Sequence, residues 1–273
     1  MTPWLEIHRS DAPLILVFPH TGTLLPAPVD DQLKSHWLAR KDADWWIHEL
    51  YAFATAMGAT TVRTLVSRSV IDVNRDPLGV SLYPGQTTTG LCPTETFDGE
   101  PLYPEGGEPD DDEIARRREL YFMPYHAALA GELTRLRSAH DHIVLYDAHS
   151  IRSIVPRLFD GILPQFNIGS FDGKSCAAAL TEAIAEIAAT SPFDHVVNGR
   201  FKGGWTTRNY GKPADGIHAI QMELSCRGYM HDPAGPVGET NWPTPYNSDH
   251  AAPLRAVLKN MLNRCLDFAK GRS

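Results

Sequence analysis

Two histidines stand directly after apolar runs that have the composition of buried strands. His20 follows residues 14–19 (Leu-Ile-Leu-Val-Phe-Pro), and His149 ends residues 143–149 (Ile-Val-Leu-Tyr-Asp-Ala-His). In open α/β sheets, ligands bind outside the carboxyl ends of the strands. Neutral imidazole nitrogens there are good ligands for a divalent metal. Either histidine alone is more typical of a hydrogen-bonded core residue, but the pair predicts a metal site at one edge of a sheet.

A metal site needs a further ligand that carries negative charge, and residues 42–45 (Asp-Ala-Asp-Trp) offer two carboxylates. They precede a predicted helix, where aspartate is also a favoured N-cap, so one carboxylate can cap while the other binds metal. We favour Asp44, which is nearer the helix start, and keep Asp42 as the alternative. Asp147 shares a strand face with His149, because side chains alternate, and is a candidate to orient that ligand.

Glu223 lies inside the apolar strand-like segment 216–225 (Gly-Ile-His-Ala-Ile-Gln-Met-Glu-Leu-Ser). Alternation places it with Gln221 on the face opposite the large apolar side chains. A carboxylate in such a strand is costly unless it is paired or used. Two interpretations follow: an ion pair with an arginine, or a general base beside a metal-activated water.

Arginines are concentrated around residues 67–77 (Ser-Arg-Ser-Val-Ile-Asp-Val-Asn-Arg-Asp-Pro). Arg68 and Arg75 bracket a predicted short strand, and Asn74 precedes the second arginine. A guanidinium can hold a carboxylate through two parallel hydrogen bonds, and a neighbouring amide can add a third. Surface salt bridges to the nearby aspartates are the equally favoured alternative. Weaker candidates in loops beside the predicted site are Arg152, Arg200 and Arg208.

Alternating strand-like and helical segments must position these groups. Helices are predicted at 45–57, ending at Gly58, at 110–138, at 174–190 and at 251–270. The further strand-like segments are 59–66, 69–74, 194–198 and 216–224. Residues 76–112 and 150–173 read as loops, and a segment as long as 76–112 without regular structure is usually functional. The alternation indicates an α/β fold with a mostly parallel or mixed sheet in one domain, residues 1–273.

Composition narrows the class of protein. The 273 residues carry a net charge of −8, which argues against nucleic acid or an anionic membrane surface as the main partner. A local arginine cluster can still attract a small anionic substrate. The four cysteines form no CxxC pair, which favours reduced thiols. The start lacks the pattern of a signal peptide, and no apolar run approaches about 18 residues, so we expect a cytoplasmic protein.

The chain resembles the N-formylglutamate amidohydrolase (N-formylglutamate deformylase) family. The matching stretches run in order through most of the chain, and together they are specific although each alone is weak. They are residues 19–22, 42–45, 67–75, 85–93, 147–152, 198–204 and 221–224. Residues 42–45 read Asp-Ala-Asp-Trp where the family usually has Asp-Thr-Asp-Trp, and both carboxylates are kept.

The resemblance implies a three-layer αβα sandwich like that of zinc-dependent exopeptidases. It implies one divalent metal held by His20, Asp44 and His149, with Glu223 as general base. Zinc is the preferred metal, although histidine and carboxylate ligands also suit cobalt, iron or manganese. By likeness to carboxypeptidases of related fold, it further implies that Asn74 and Arg75 hold a substrate carboxylate.

The function implied is hydrolysis of N-formyl-L-glutamate to formate and L-glutamate, in the late steps of histidine breakdown. We expect the metal to activate the attacking water, Glu223 to transfer its proton to the leaving amine, and Arg68 to help stabilise the oxyanion. The expected assembly is a monomer or a small homo-oligomer. The rival hypotheses are an amidase or carboxypeptidase acting on other N-acyl amino acids or peptides, and a metal-binding or ligand-binding protein without turnover.

Overall fold

A computed structural model describes residues 4–272 of the chain, which form a seven-stranded mixed sheet. The strands in chain order are β1 (Leu5–His8), β2 (Leu14–Phe18), β3 (Thr60–Thr64), β4 (Ile143–Ile151), β5 (Phe166–Gly169), β6 (His195–Val197) and β7 (Ile217–Ser225). Their order across the sheet is β1-β3-β2-β4-β7-β5-β6. The pairs β1 with β3 and β5 with β7 are antiparallel, and the other pairs are parallel. Residues 1–3 and 273 of the predicted single domain lie outside the described residues.

Helices cover both faces of this sheet. They are α1 (Ala27–Asp30), α2 (Leu38–Lys41), α3 (Ile47–Leu50), α4 (Asp111–Arg117), α5 (Met123–Arg137), α6 (Ala178–Ala189), α7 (Trp205–Tyr210) and α8 (Ser248–Ala269). One π-helical turn, Arg118–Phe122, joins α4 to α5, so the long helix predicted over 110–138 is present. Among residues 4–272, we find no helix with the length and apolar character needed to cross a bilayer.

The central strands are buried on both sides, as parallel strands between two helical layers must be. On one face, Leu16, Tyr146 and Met222 pack in a core with α3, α6 and α8. On the other face, Val17 and Leu145 pack in a second core with α5 and α7. The arrangement is a three-layer αβα sandwich around a mixed sheet, which confirms the predicted fold class.

Several predicted segments differ from the structure. Residues 69–74 form turns rather than a strand, because side chains there bond to the local backbone: Ser67 Oγ accepts from Ser69 N at 3.2 Å, and Asp72 Oδ1 accepts from Asn74 N at 2.9 Å. Such bonds bend the chain and compete with pairing in a sheet. In addition, β1 was not predicted, β5 lies in the segment 150–173 that was predicted to be a loop, and α7 lies where no helix was predicted.

The helix predicted over 45–57 is replaced by α3 and a 3₁₀ helix, Ala52–Met57. Trp46 has a φ of 59°, a left-handed conformation that a right-handed helix cannot include, so α3 begins only after it. The indole Nε1 of Trp46 donates to Thr244 O at 3.0 Å, which anchors this turn to the chain before α8. The predicted end at Gly58 is confirmed, since Gly58 caps the 3₁₀ helix with a φ of 81°.

His126 in α5 supports the segment that carries Asn74 and Arg75. Its Nε2 lies 2.7 Å from Val73 O and its Nδ1 lies 3.1 Å from the hydroxyl of Tyr210. The imidazole is therefore held neutral, with Nε2 donating and Nδ1 accepting. Burial lowers the pKa of His126 to about 4, below the ordinary 6.5.

Acid should therefore destabilise the fold through His126. Between pH 6.5 and 4 the unfolded chain binds a proton that the folded chain excludes, so stability is complete above pH 6.5 and falls as the pH drops. We expect a contribution of about 2 kcal/mol to the loss of unfolding free energy between pH 7.5 and 5. Urea unfolding of wild type and of His126→Gln at both pH values measures it. Equal losses in the two proteins would contradict this assignment.

Candidate active site

On one face of the two central strands, β4 and β7, the side chains change from apolar to polar towards the carboxyl ends. In the parallel register Leu145 pairs with Ala219, Asp147 with Gln221, and His149 with Glu223. Paired residues in adjacent strands point to the same face, so an apolar layer at Leu145 gives way to four polar side chains. The strands thereby carry a continuous core at one end and a cluster of reactive groups at the other.

Three predicted ligands meet beside these strand ends. His20 follows β2, and its carbonyl oxygen accepts a hydrogen bond of 2.9 Å from Asp44 N, which brings the Asp44 turn onto the sheet. His149 Nδ1 lies 3.1 Å from His20 Nδ1 and 3.1 Å from Asp44 Oδ2. His20 Nδ1 lies 3.7 Å from the same oxygen. All three residues are buried.

Each histidine has a carboxylate on its other ring nitrogen. His20 Nε2 lies 2.6 Å from Asp72 Oδ1, and His149 Nε2 lies 2.8 Å from Asp147 Oδ1. A carboxylate accepts hydrogen bonds, so these contacts place an N–H at Nε2 of each ring and turn each Nδ1 towards Asp44. The predicted orienting role of Asp147 is thus matched by a second carboxylate, Asp72.

The donor set fits a small divalent cation. The Nδ1 atoms of both imidazoles and one carboxylate oxygen converge, and a point about 2 Å from all three atoms exists, the length of zinc bonds to nitrogen and oxygen. The charges agree: burial alone would lower the pKa of His149, but Asp147 and Asp44 raise it well above its ordinary value. The cluster thus attracts positive charge.

Asp42 is turned away from this cluster. Its Oδ2 accepts a hydrogen bond of 2.6 Å from Phe97 N, and its Oδ1 lies 3.3 Å from Arg152 Nη2. Burial raises the pKa of Asp42, and Arg152 partly offsets that effect. The structure therefore brings Asp44, not Asp42, to the two histidines, and Asp42 anchors the loop that carries Phe97.

Glu223 faces the same space as the two histidines. Its Oε2 accepts a hydrogen bond of 3.2 Å from Gln221 Nε2, while Gln221 Oε1 accepts from Gly204 N at 2.6 Å. Burial raises the pKa of Glu223 to about 8, against the attraction of His149 and Arg68. No arginine lies within 4.0 Å of this carboxylate among the described residues, which disfavours the ion-pair interpretation. A buried carboxyl with a raised pKa can take up and return a proton near neutral pH.

Arg68 is buried beside the cluster. Its Nη2 donates to Asp72 Oδ2 at 2.7 Å, its Nη1 lies 3.7 Å from Asp44 Oδ1, and its guanidinium lies 4.8 Å from the ring centre of Phe97. Burial would lower the pKa of Arg68, but Asp72 and Asp44 raise it above its ordinary value. Arg68 therefore supplies a fixed positive charge.

A cleft opens in front of these residues. The cleft is lined by charged side chains and by the two histidines of the cluster: His20, Arg68, Arg75, His149, Arg200 and Glu223. Three arginines thus line one cleft of a chain whose net charge is −8.

Asn74 and Arg75 also line the cleft, but both have protein partners. Asn74 Oδ1 accepts from Thr206 N at 2.7 Å, and Nδ2 donates to Asp147 Oδ2 at 3.3 Å. Arg75 Nε donates to Thr89 O at 3.0 Å, and its Nη1 lies 3.6 Å from Asp72 Oδ2. The amide of Asn74 thus ties the start of α7 to the carboxylate that orients His149.

Arg152 and Arg208 do not line the cleft. Arg152 pairs with Asp42 at 3.3 Å and with Asp98 at 2.8 Å. Arg208 donates to Gly203 O and Leu82 O, at 2.8 and 2.7 Å. This placement departs from the expectation that both bind substrate, because each guanidinium is used to hold a loop.

Comparison with known proteins places these residues in a family. The model of the N-formylglutamate amidohydrolase family matches residues 12–230, which include all the residues of the cluster and the cleft. The chain belongs to this family.

Two relatives extend the match to nearly the full chain. The N-formylglutamate deformylase of Pseudomonas putida is 44% identical over 98% of this chain and 97% of its own length. The N-formylglutamate deformylase of Pseudomonas aeruginosa is 42% identical over 98% of both chains. The crystal structure of N-formylglutamate amidohydrolase from Ralstonia eutropha JMP134 has the same fold, with a TM-score of 0.78 and 22% identity over 97% of this chain and 98% of its own.

Three residues that shape this site were not predicted from the sequence to belong to it. Asp72 was considered only as a surface salt-bridge partner, yet it bonds to His20 and Arg68. Gln221 holds Glu223, and its position two residues earlier on the same strand face was the available signal. Phe97 offered no signal, since it lies in an irregular loop.

Proposed function

We propose that the chain hydrolyses N-formyl-L-glutamate to formate and L-glutamate. Its family and its relatives, which are named N-formylglutamate deformylase, make it an amidohydrolase acting on a linear amide, as predicted. The observation that carries the proposal is the cleft itself, where Glu223 and the two histidines face a space lined by arginines. A proton-transfer group and an anion site thus share one small cavity.

His20, Asp44 and His149 would hold one divalent cation, with zinc as the proposed metal. When bound there, such a cation supplies a Lewis acid that polarises the formyl carbonyl and makes water a better nucleophile. Asp72 and Asp147 keep both imidazoles in the tautomer that this role requires, through the hydrogen bonds at Nε2.

Glu223 moves the proton in the proposed reaction. Its carboxylate accepts a proton from the attacking water as the oxygen forms a bond to the formyl carbon. The same carboxyl then donates that proton to the amide nitrogen as the C–N bond breaks, which releases formate and the amine of L-glutamate. Gln221 keeps one carboxyl oxygen fixed at 3.2 Å.

Arginines stabilise and orient the anionic groups in this proposal. Arg68 lies buried beside the ligands and would donate to the carbonyl oxygen as it gains negative charge, a type of contact often worth about 3 kcal/mol. Arg75, with the neighbouring Asn74, would hold a substrate carboxylate at the wall of the cleft. The phenyl ring of Phe97 covers Arg68 and limits the access of water to it.

A panel of N-formyl and N-acetyl amino acids, assayed with and without chelator, tests the proposed reaction. We expect turnover of N-formyl-L-glutamate that chelation removes and added Zn²⁺ restores, with metal analysis giving about one ion per chain. Activity confined to another acyl group or to peptides would favour the amidase and carboxypeptidase alternatives. Full activity in a protein shown to be metal-free would contradict the metal site. The cytoplasmic location, the role in histidine breakdown and the monomer or small homo-oligomer stay predictions.

A further inference from the structure

Three arginines line the cleft, and they differ in how their charge is balanced. Arg68 lies within 4.0 Å of Asp44 and Asp72, and Arg75 lies 3.6 Å from Asp72. Arg200 has no carboxylate within that distance in residues 4–272, although it is partly buried in the same cleft. It is therefore the arginine of the cleft that makes no salt bridge with a carboxylate of the described residues.

Arg200 is nevertheless held firmly. Its Nε donates to Leu158 O and its Nη2 donates to Thr87 O, each at 2.9 Å. The guanidinium lies 5.3 Å from the ring centres of both Tyr83 and Phe201. Carbonyl oxygens and aromatic faces orient a guanidinium but do not neutralise it. The remaining nitrogen, Nη1, has no partner among the hydrogen bonds of the described residues.

A guanidinium that is held in place without a salt bridge is typical of a binding site for an anion. Burial lowers the pKa of Arg200 and Arg75 lowers it further, whereas Tyr83 and Glu223 partly offset these effects. The folded chain therefore keeps this cation at an energetic cost. That cost is recovered when a carboxylate replaces the missing counter-ion, through charge-assisted hydrogen bonds in a partly dry cleft.

We infer that Arg200 is the specificity residue of this cleft and binds the side-chain carboxylate of the substrate, which leaves Arg75 for the α-carboxylate. The inference rests on the proposed function, since it concerns the same cleft and the same class of substrate. It explains why the site carries a further arginine beyond the Arg68 to Arg75 segment: N-formyl-L-glutamate has two carboxylates, and each finds its own guanidinium.

Arg208 provides a matched control. It lies on the same aromatic ring as Arg200, with its guanidinium 4.7 Å from the ring centre of Tyr83, and it too bonds to carbonyl oxygens. It differs in lying outside the cleft. A change at Arg208 therefore disturbs the same loop without removing a charge from the substrate site.

The test compares N-formyl-L-glutamate with N-formyl-L-glutamine, which has the same shape and a neutral side chain. In the wild type we expect kcat/KM to favour the acidic substrate by at least about 100-fold. Arg200→Gln should reduce that preference to within a few fold, mostly by slowing the acidic substrate, while Arg200→Lys should keep part of it. Arg208→Gln should change both substrates by one common factor and leave the preference intact.

Other outcomes separate the failure of this inference from failure of the proposed function. A wild type that processes both substrates equally well, or an Arg200→Gln variant that keeps the wild-type preference, would overturn the inference and leave the deformylase intact. A wild type that hydrolyses neither substrate would overturn the proposed function. If Arg200→Gln does not fold, calorimetric binding of L-glutamate and L-glutamine to wild type and Arg200→Lys decides the matter. Equal affinities in both proteins would then reject the inference.

Discussion

Replacing Glu223 by Gln is expected to lower kcat for N-formyl-L-glutamate by about 100- to 10,000-fold. The amide has nearly the same shape as the carboxyl group. The decrease in kcat therefore measures the contribution of a group that can take up and return a proton. Steady-state and single-turnover assays of the purified variant measure it. Metal content and the affinity for L-glutamate should stay close to those of the wild type, because Glu223 is not among the three converging ligands.

The pH dependence gives an independent check on the same residue. Glu223 acts as a base only when ionised, so kcat/KM should fall on the acid side of its pKa. Burial raises that pKa to about 8, and a cation held at the histidines would lower it by favouring the ionised form. The residual activity of Glu223→Gln should lack this acid limb. Wild-type rates in the variant would instead support a protein whose turnover does not use this carboxylate.

Replacing Asp44 by Asn is expected to weaken metal binding by more than about 100-fold, since it removes a charged ligand and leaves two imidazoles. Competition against a chromophoric chelator measures the dissociation constant directly and does not depend on turnover. Activity at a fixed, low zinc concentration should fall in parallel. Excess zinc should restore part of that activity, because His20 and His149 still converge.

Asp42→Asn is the matched control, two residues away in the same turn. The Asp42 carboxylate bonds to Phe97 N and Arg152, so its loss should loosen the loop over Arg68 and lower thermal stability. Metal affinity should stay within a few fold of the wild type. A large loss of metal affinity in Asp42→Asn, with little effect in Asp44→Asn, would show that the wrong aspartate has been assigned.

The fold was predictable where hydrophobic periodicity is strong. The apolar runs before His20 and His149 correspond to β2 and β4, and the long helix over 110–138 is present as α4, a π turn and α5. Prediction was wrong where local hydrogen bonds or a strained residue override periodicity. Asp72 turns the chain at 69–74, and the left-handed Trp46 breaks the helix expected over 45–57.

The site residues could be predicted where polar side chains lie at or after the end of an apolar, strand-like run. Alternation alone placed Asp147 with His149, and Gln221 with Glu223, on common faces, and the strand register of the structure agrees. Contacts between distant loops left no comparable pattern. The bond of Asp72 to His20 and the placement of Phe97 over Arg68 depend on how loops fold back onto the sheet, which no local spacing encodes.

Side chains alternate along β4, so a shift of this strand that changes the packing of one core also changes the position of the reactive groups. Tyr146 and Ala148 face the core beneath α8, while Asp147 and His149, interleaved with them, lie on the opposite face, where His149 lines the cleft. A substitution that tilts the strand to relieve crowding around Tyr146 therefore also displaces the imidazole of His149. Sequence drift during evolution should consequently be slowest along β4 and β7, on both faces alike, and fastest at the edge strands β1 and β6, where no catalytic side chain would move.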